Sequence, residues 1–407
     1  MIKGKDGDSM KAQKITIFGD MMCEPRLLSQ AKRGNGYDYA PTFVHLKKLI
    51  GEADYTIGNL ETPLAGEEAG YTSRIVSFNA PDAFAEAIRE AGFDFVSTAN
   101  NHALDRGTAG VKRTLEALDR IGLAHSGSFA DGNDAGRIFY FTLGDTKLAL
   151  LCFSYGTNYA ICGNAPEPGT INYLRPYNAK GMAKAKKEFT GTKDYVESLL
   201  GREMSWEEKG QLKLAMGLST ASSDDEFDAD VETQHLRELD ALYAEARSKA
   251  DLVFLLPHTG GQFNEKPGAY SEFLMEHCAS LGFDGIFAAH SHTTQKAVYL
   301  HGAPCFFCLG NVTMTPCTWY SWAPGLPQFG IAAHLYLIDK KIQKVTFSIF
   351  RILDPDGGQL APVPIDELLP ALKDEQEKTL LLTQAEAVWQ RVSGRTEGFT
   401  VQREYEL

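Results

Sequence analysis

Short apolar runs recur along this chain, and each stops at residues whose side chains offer oxygen or nitrogen ligands. Residues 15–18 end in Gly19-Asp20. Residues 54–57 end in Gly58-Asn59-Leu60-Glu61, and 93–96 run into Ser97-Thr98-Ala99-Asn100-Asn101-His102. A buried strand of a parallel sheet reads as such a continuous run, and its carboxyl end faces the ligand crevice of an open α/β sheet. Helices are predicted between the runs, over 41–50, 82–91 and 110–121. In the last of these Val111, Leu115, Leu118 and Ile121 share one face at three- to four-residue spacing. Residues 123–126 read as a further strand. The repeat of strand, polar loop and helix predicts a doubly wound sheet with sequential βα units.

The pattern then changes. Residues 138–143 and 147–155 read as two strands joined by the hairpin signal Gly144-Asp145-Thr146. From 158 to 249 a Gly/Pro/Asn-rich loop (162–176) gives way to charged helical stretches at 181–200, 205–216 and 231–249, with an acidic loop at 222–230. This is expected to be a helical insertion, either a lid or interface or a plain packed embellishment. Order returns at 252–256, ending in Pro257-His258-Thr259-Gly260-Gly261. A helix at 271–281 leads to the strand 285–289, which ends in His290-Ser291-His292. Strands at 297–300, 303–309, 331–338 and 344–352, with a hairpin at Asp339-Lys340-Lys341, suggest a second sheet. Helices are predicted at 365–372 and 375–392, before a charged end expected to be mobile. The expected division is one domain over 10–157 plus 250–352, an insertion at 158–249, and a C-terminal helical extension at 353–407.

Charge narrows the partners. The 407 residues carry 53 acidic and 40 basic side chains, a net charge of -13. That sign repels polyanions unless a site is locally positive, so no nucleic-acid partner is expected. With 43% hydrophobic and 23% charged residues, the composition is that of a globular enzyme. The sequence has no Gly-x-Gly-x-x-Gly after a strand, no P-loop and no Gly-x-Ser-x-Gly. No run reaches about 18 apolar residues, so no membrane span is expected. Residues 1–9 lack an apolar signal-peptide core, Met10 reads as the natural start, and a cytoplasmic location is expected. Seven cysteines, odd in number and scattered, point to a reducing compartment. Cys305-x-x-Cys308 lies in an apolar run and reads as core rather than as a zinc or redox pair.

Collected together, the strand ends hold Asp20, Asn59, Glu61, Asn101, His102, His258, His290 and His292. Singly each has a plainer reading. Asp20 suits a turn or helix cap, Asn101-His102 an N-cap beside a surface histidine, and His290-x-His292 a structural pair. Several such loops at one sheet edge are better explained by a cation. Carboxylate, amide-oxygen and imidazole ligands together suit a borderline divalent metal, Mn, Fe or Zn, one or two ions. His102 would exchange a proton with a leaving group.

The blocks Gly19-Asp20, Asn59-Leu60-Glu61-Thr62-Pro63-Leu64, Ala99-Asn100-Asn101-His102-Ala103-Leu104-Asp105-Arg106-Gly107 and His290-x-His292-x-x-Gln295 closely resemble the CapA family. These are poly-γ-glutamate capsule synthesis proteins, related to the calcineurin-like metallophosphoesterases. The likeness runs from about residue 14 to 315 with the motifs in family order. It implies a metallophosphoesterase-like four-layer α/β/β/α sandwich, interrupted by the helical insertion, with a one- or two-metal centre between strand ends. The chain departs from the family pattern in three places. His-Trp-Gly-x-Glu-Tyr appears as His258-Thr259-Gly260-Gly261-Gln262-Phe263, and Gly-His-His-Pro-His as Ala288-Ala289-His290-Ser291-His292. The Asp-x-His of phosphoesterases appears as Asp20-Met21-Met22, one imidazole fewer for the first metal.

On this resemblance the chain is expected to be a bacterial metal-dependent hydrolase or transferase. It would serve poly-γ-glutamate capsule synthesis or turnover, on an anionic small-molecule or polymer substrate. Asp20, Asn59, Glu61, Asn101, His258, His290 and His292 would hold the metal, and a coordinated water would act as nucleophile. His102 would protonate the leaving group, oriented by Asp105, and Arg74 and Arg106 would clamp the anion. A metal-dependent phosphoesterase is an alternative on the same chemistry. A nucleotidase-like version would need stacking aromatics, for which Tyr155, Tyr159, Trp319 and Tyr320 are candidates or else packing residues. A non-catalytic scaffold that keeps the metal fold is the third reading, supported by the altered His258 block and the missing first-strand histidine.

Overall fold

Strands that bury both of their faces build this protein. The computed structural model describes residues 12–73, 77–130, 136–158, 162, 167, 169–175, 179–204, 208–209, 212, 228–315 and 325–407. In chain order these form β1 (Gln13–Met21), α1 (Pro25–Ala31), the short arms β2 (Lys32–Arg33) and β3 (Gly36–Tyr37), α2 (Ala40–Phe43), α3 (Lys47–Gly51) and β4 (Tyr55–Leu60). Next come α4 (Asp82–Ala91), β5 (Phe95–Ser97), α5 (Gly107–Ile121), β6 (Ala124–Ser126), β7 (Phe139–Leu143) and β8 (Thr146–Ser154). Helices α6 (Ala179–Leu200), α7 (Ala229–His235) and α8 (Arg237–Lys249) precede β9 (Leu252–His258), α9 (Ala269–Leu281) and β10 (Gly285–Phe287). The remainder is β11 (Ala297–Leu300), β12 (Ala303–Phe306), β13 (Asn311–Thr313), β14 (Phe329–Ile338), β15 (Lys341–Leu353), β16 (Ala361–Pro364), α10 (Ile365–Ala371), α11 (Glu375–Ser393) and β17 (Tyr405–Glu406).

Two sheets result. The nine-stranded sheet has the order β16-β15-β14-β1-β4-β5-β6, with β13 also on β1 and β17 also on β15. The six-stranded sheet has the order β11-β12-β10-β9-β8-β7. The pairs β1–β4, β4–β5, β5–β6 and β1–β13 are parallel, as are β8–β9, β9–β10 and β10–β12.

Side-chain alternation then dictates four layers, because successive residues of a strand face opposite ways. On β8, Leu148, Leu150 and Cys152 join Phe254 and Leu256 of β9 and Ile15 and Ile17 of β1 in the core between the sheets. The intervening Ala149, Leu151 and Phe153 face outward onto Leu239, Tyr243 and Ala246 of α8 and Leu274, Met275 and Cys278 of α9. Phe18 and Met21 of β1 likewise meet Phe43, Phe84, Ile88 and Leu118 of the helices outside the large sheet. Each fully buried Leu or Phe contributes roughly 1.5–3 kcal/mol. The architecture is the four-layer α/β/β/α sandwich that the resemblance implies.

Several local expectations need correction. The helix expected at 41–50 is two short helices, α2 and α3, with a turn at 44–46 between them. Strands β13, β16 and β17 were not foreseen, being two to four residues long. The charged C-terminus is strapped down rather than loose. Tyr405 and Glu406 pair with Phe347 and Thr346 of β15. Glu404 accepts bonds from Lys14 Nζ at 2.6 Å, from Tyr336 Oη at 2.7 Å and from Thr346. These bonds satisfy a buried lysine that the sequence pattern had hidden inside a strand. Most of the helix expected at 205–216 and of the acidic loop at 222–230 lies outside the described residues. Cys305 and Cys308 are buried core residues whose thiols burial pushes up to about 12. Among the described residues, no helix is long and apolar enough to cross a membrane.

Candidate metal centre

Parallel strands end on the same side, so their terminal side chains share an edge. Asp20 sits at the end of β1, Asn59 on β4 with Glu61 just beyond, and Asn100 to His102 just past β5. From the smaller sheet come His258, the last residue of β9, and His290 and His292 beyond β10. The two sets meet. The backbone N–H of His290 donates to Asp20 Oδ2 at 3.0 Å, and His292 Nδ1 lies 3.4 Å from the same oxygen. Asp20, Glu61, Asn101, His102, His258, His290 and His292 are all buried.

His258 Nε2 is the crowded point. It lies 2.7 Å from Asn101 Oδ1, 3.2 Å from Glu61 Oε1 and 3.1 Å from His290 Nδ1. One ring proton cannot serve three such atoms, whereas a cation among them would. The remaining atoms agree. Both Glu61 carboxylate oxygens and His290 Nε2 are buried without a hydrogen-bond partner. A buried carboxylate left so costs several kcal/mol, and a coordinated cation offsets that cost. Two triads have donor atoms within 4.8 Å of one another: Asp20, Glu61 and His258, and Glu61, His290 and His292. Glu61 belongs to both, so the residues fit one ion or two sharing a carboxylate.

Two backbone positions support the same reading. His290 has φ 107° and His292 φ 55°, a region that residues with side chains seldom occupy. Such positions cost about 1–3 kcal/mol each and persist where the surroundings hold them for a purpose.

The electrostatics follow from crowding. Burial alone would raise the Asp20 carboxyl. The hydrogen bond with His292 and the fields of His258 and His292 outweigh it and hold the group below its ordinary value. Burial, reinforced by His258 and His292, pushes His290 well down, so it is a neutral imidazole with a free lone pair. Burial also opposes charge on His292, but Glu61 and Asp20 prevail and lift it to about 9.

A second unit flanks the centre. His102 Nδ1 is 2.6 Å from Asp105 Oδ2, which also accepts the Phe78 N–H at 2.6 Å. The Phe78 ring stacks on the imidazole at 4.3 Å between centroids. Burial would lower the His102 pKa, but Asp105 outweighs it and the pKa is raised.

Other expected residues fall differently. Asn59 turns its amide nitrogen to Asp20 Oδ1 at 2.7 Å, while its oxygen accepts from Asn100 Nδ2 at 3.3 Å. In this orientation it braces Asp20 and offers no oxygen to a cation. Arg106 directs its guanidinium to the Ala69 and Gly70 carbonyls and to Ser77 Oγ, at the rim of a polar cavity of about 310 Å³ that Asp105 also lines. Arg74 lies outside the described residues, as do Tyr159, Trp319 and Tyr320. Tyr155 packs its ring on His290 at 4.6 Å.

Asn311 stands at the centre without having been expected there. Asn311 pairs with Asp20 across β13 and β1, and its Oδ1 lies 2.9 Å from His292 Nδ1. Its amide nitrogen donates to the His292 carbonyl at 2.8 Å. The signal was present: Gly310-Asn311 repeats the Gly58-Asn59 pair that ends β4.

Comparison with known proteins adds an independent line. Residues 14–315 match the family described as bacterial capsule synthesis protein PGA_cap. The capsule biosynthesis protein CapA of Bacillus anthracis is 24% identical over 301 residues, 73% of this chain and 58% of that protein. The PGA biosynthesis protein CapA of Bacillus subtilis (strain 168) is 22% identical over 302 residues, 73% of this chain and 62% of its own. The chain thus spans about three fifths of the length of these relatives. A putative 5'-nucleotidase from Staphylococcus aureus, solved with α-ketoglutarate, aligns over 92% of this chain and 58% of its own at 13% identity and a TM-score of 0.39.

Proposed function

Because the chain belongs to the bacterial capsule synthesis protein family PGA_cap, we propose that it is a metal-dependent hydrolase or transferase acting on an anionic substrate in poly-γ-glutamate synthesis or turnover. The observation that carries this reading is the Glu61 carboxylate, buried without a hydrogen-bond donor among three histidines and Asp20, beside a separate His–Asp dyad. Asp20, Glu61, His258, His290 and His292 would hold a divalent Mn, Fe or Zn, with Asn101 Oδ1 facing the same point. Bound there, such an ion would activate a water and polarise the bond to be broken.

The chain's own residues supply the rest. Asp105 accepts the Nδ1–H hydrogen bond of His102 and so orients Nε2 to carry the proton that a departing group needs. Although burial opposes the charge, the field and hydrogen bond of Asp105 raise the His102 pKa above its ordinary value, which favours the protonated ring. Phe78 on the ring face limits water at the donor. Asn59 holds the Asp20 carboxylate in place.

The test is an assay of metal-loaded protein on an aryl phosphodiester and on poly-γ-glutamate. Ester turnover that falls about 10²–10⁴-fold in His102→Ala supports phosphoester hydrolysis with His102 as the acid. Turnover of the polymer alone supports γ-glutamyl chemistry. Protein that neither holds nor takes up a divalent ion would leave the fold as a scaffold and end the proposal.

A further inference from the structure

The loop after β8 reaches the centre with one asparagine. Ser154 Oγ closes the turn onto the Gly156 carbonyl at 2.7 Å, and Tyr155 N–H donates to the His258 carbonyl at 2.9 Å. Two residues later Asn158 docks on the Asn101–His102 segment. Its backbone N–H donates to the Asn101 carbonyl at 2.7 Å. Its Oδ1 accepts from Asn101 Nδ2 at 3.0 Å, and its Nδ2 lies 3.2 Å from both ring nitrogens of His102. A nitrogen that near to both lies over the imidazole face, not in its plane, while Asp105 occupies the in-plane position at Nδ1.

These contacts have a direction. An amide offers donors at one end and acceptors at the other. With Asn158 Oδ1 taking the Asn101 amide protons, Asn101 must turn its own oxygen toward His258 and the centre. The same commitment puts the Asn158 amide nitrogen against the His102 ring face, where it fixes the imidazole by contact and not by an in-plane hydrogen bond. From this the geometry points to Asn158 as a positioning residue that couples the cation-facing oxygen of Asn101 to the orientation of the His102 imidazole. Nothing in the residue's own chemistry makes it an acid or a strong ligand. It acts through the two neighbours it holds. Groups that orient a ligand typically change metal affinity by 10–100-fold when removed.

This inference rests on the metal and acid roles proposed above, and Asn158→Ala and Asn158→Asp separate them. Mn²⁺ affinity is measured by chelator competition on metal-free protein. Rates are measured on two phosphodiesters, one with a nitrophenol leaving group and one with an alkanol. Asn158→Ala is expected to weaken Mn²⁺ about tenfold and to slow the alkanol ester more than the nitrophenol ester. Asn158→Asp still accepts from Asn101 but replaces the amide nitrogen on the His102 ring face with a carboxylate oxygen. It is expected to hold Mn²⁺ within about threefold of the parent while keeping the leaving-group bias. Wild-type Mn²⁺ affinity in Asn158→Ala, with the fold verified by circular dichroism, would overturn the coupling. So would a rate loss of equal size on both esters when His102→Ala shows the bias. If His102→Ala shows none, the acid assignment fails, and the Mn²⁺ measurement alone decides the role of Asn158.

Discussion

Gly19 stands so close to Gly310 that a Cβ on it would meet the Gly310 carbonyl oxygen at 1.9 Å. The contact marks where β1 changes neighbours. Up to Phe18 it pairs antiparallel with β14, and from Asp20 it pairs parallel with β13. The Asp20 N–H donates to that same Gly310 carbonyl at 3.0 Å, so the close approach sets where the first carboxylate points. The obstacle is backbone, which has little room to yield. Gly19→Ala is therefore expected to destabilise by about 3 kcal/mol in urea melts and to lose metal uptake. An alanine variant as stable as the parent would show that β1 can shift.

Glu61 serves both the metal-free fold and metal uptake. Its two buried oxygens lack hydrogen-bond donors. Glu61→Gln keeps the shape but removes the charge that sustains the charged His292 beside it, so the metal-free variant is expected to melt about 3–6 °C below the parent. Added metal should raise the parent's melting temperature but not the variant's. Calorimetry with and without a chelator reads both outcomes, and a metal-free variant more stable than the parent would contradict this account.

The charge on His292 predicts how metal binding depends on pH. Burial opposes that charge, but Glu61 and Asp20 raise the folded pKa to about 9, above the ordinary 6.5. A raised folded value means that the group's contribution to metal-free stability is complete below about pH 6.5 and fades as pH climbs to about 9. A metal must displace the same proton. Apparent affinity should therefore climb across that window, with proton release detectable in weakly buffered titrations. A flat profile would place His292 outside the ligand set.

The C-terminal strap should stabilise strongly through one carboxylate. Lys14 Nζ is buried and pairs with Glu404 at 2.6 Å, with Glu52 farther off at 3.7 Å. Glu404→Ala leaves the ammonium largely uncompensated, with an expected loss of about 3 kcal/mol. Burial alone would raise the Glu404 carboxyl, but the field of His334 and bonds from Lys14, Thr346 and Tyr336 bring it to about 2. Because this folded value is depressed, its stabilisation is present above about pH 4.5 and fades toward about pH 2. Acid titration of the parent and of Glu404→Ala should diverge above that window and converge at its lower end. Curves that run together throughout would show the strap to be energetically idle.

Much of the candidate centre was legible because its ligand-type residues cluster at strand ends. Asp20, Glu61, Asn101, His258, His290 and His292 each follow an apolar run, and a run of that type has one predictable end. The His102–Asp105 contact spans three residues of one loop, so local spacing already suggested it. Asn158 and Asn311 were passed over for the opposite reason. Asn158 opens a stretch whose composition says only loop, and Asn311 begins a strand of three residues. No periodicity marks either one.

Local order thus determined which segments would be strands, which faces they would bury, and which ligand-type residues would stand at their ends. Period-two burial and loop chemistry act over a few neighbouring residues, and the amino-acid order states them directly. What only the tertiary structure decided is orientation at the meeting of the two sheets. Asn59 turns a nitrogen to the centre and Asn101 an oxygen, and Glu61 is left to be shared between two triads. Each of those choices is made by a partner from a distant part of the chain, because a side-chain rotamer answers to whatever packs against it, wherever that lies in the chain.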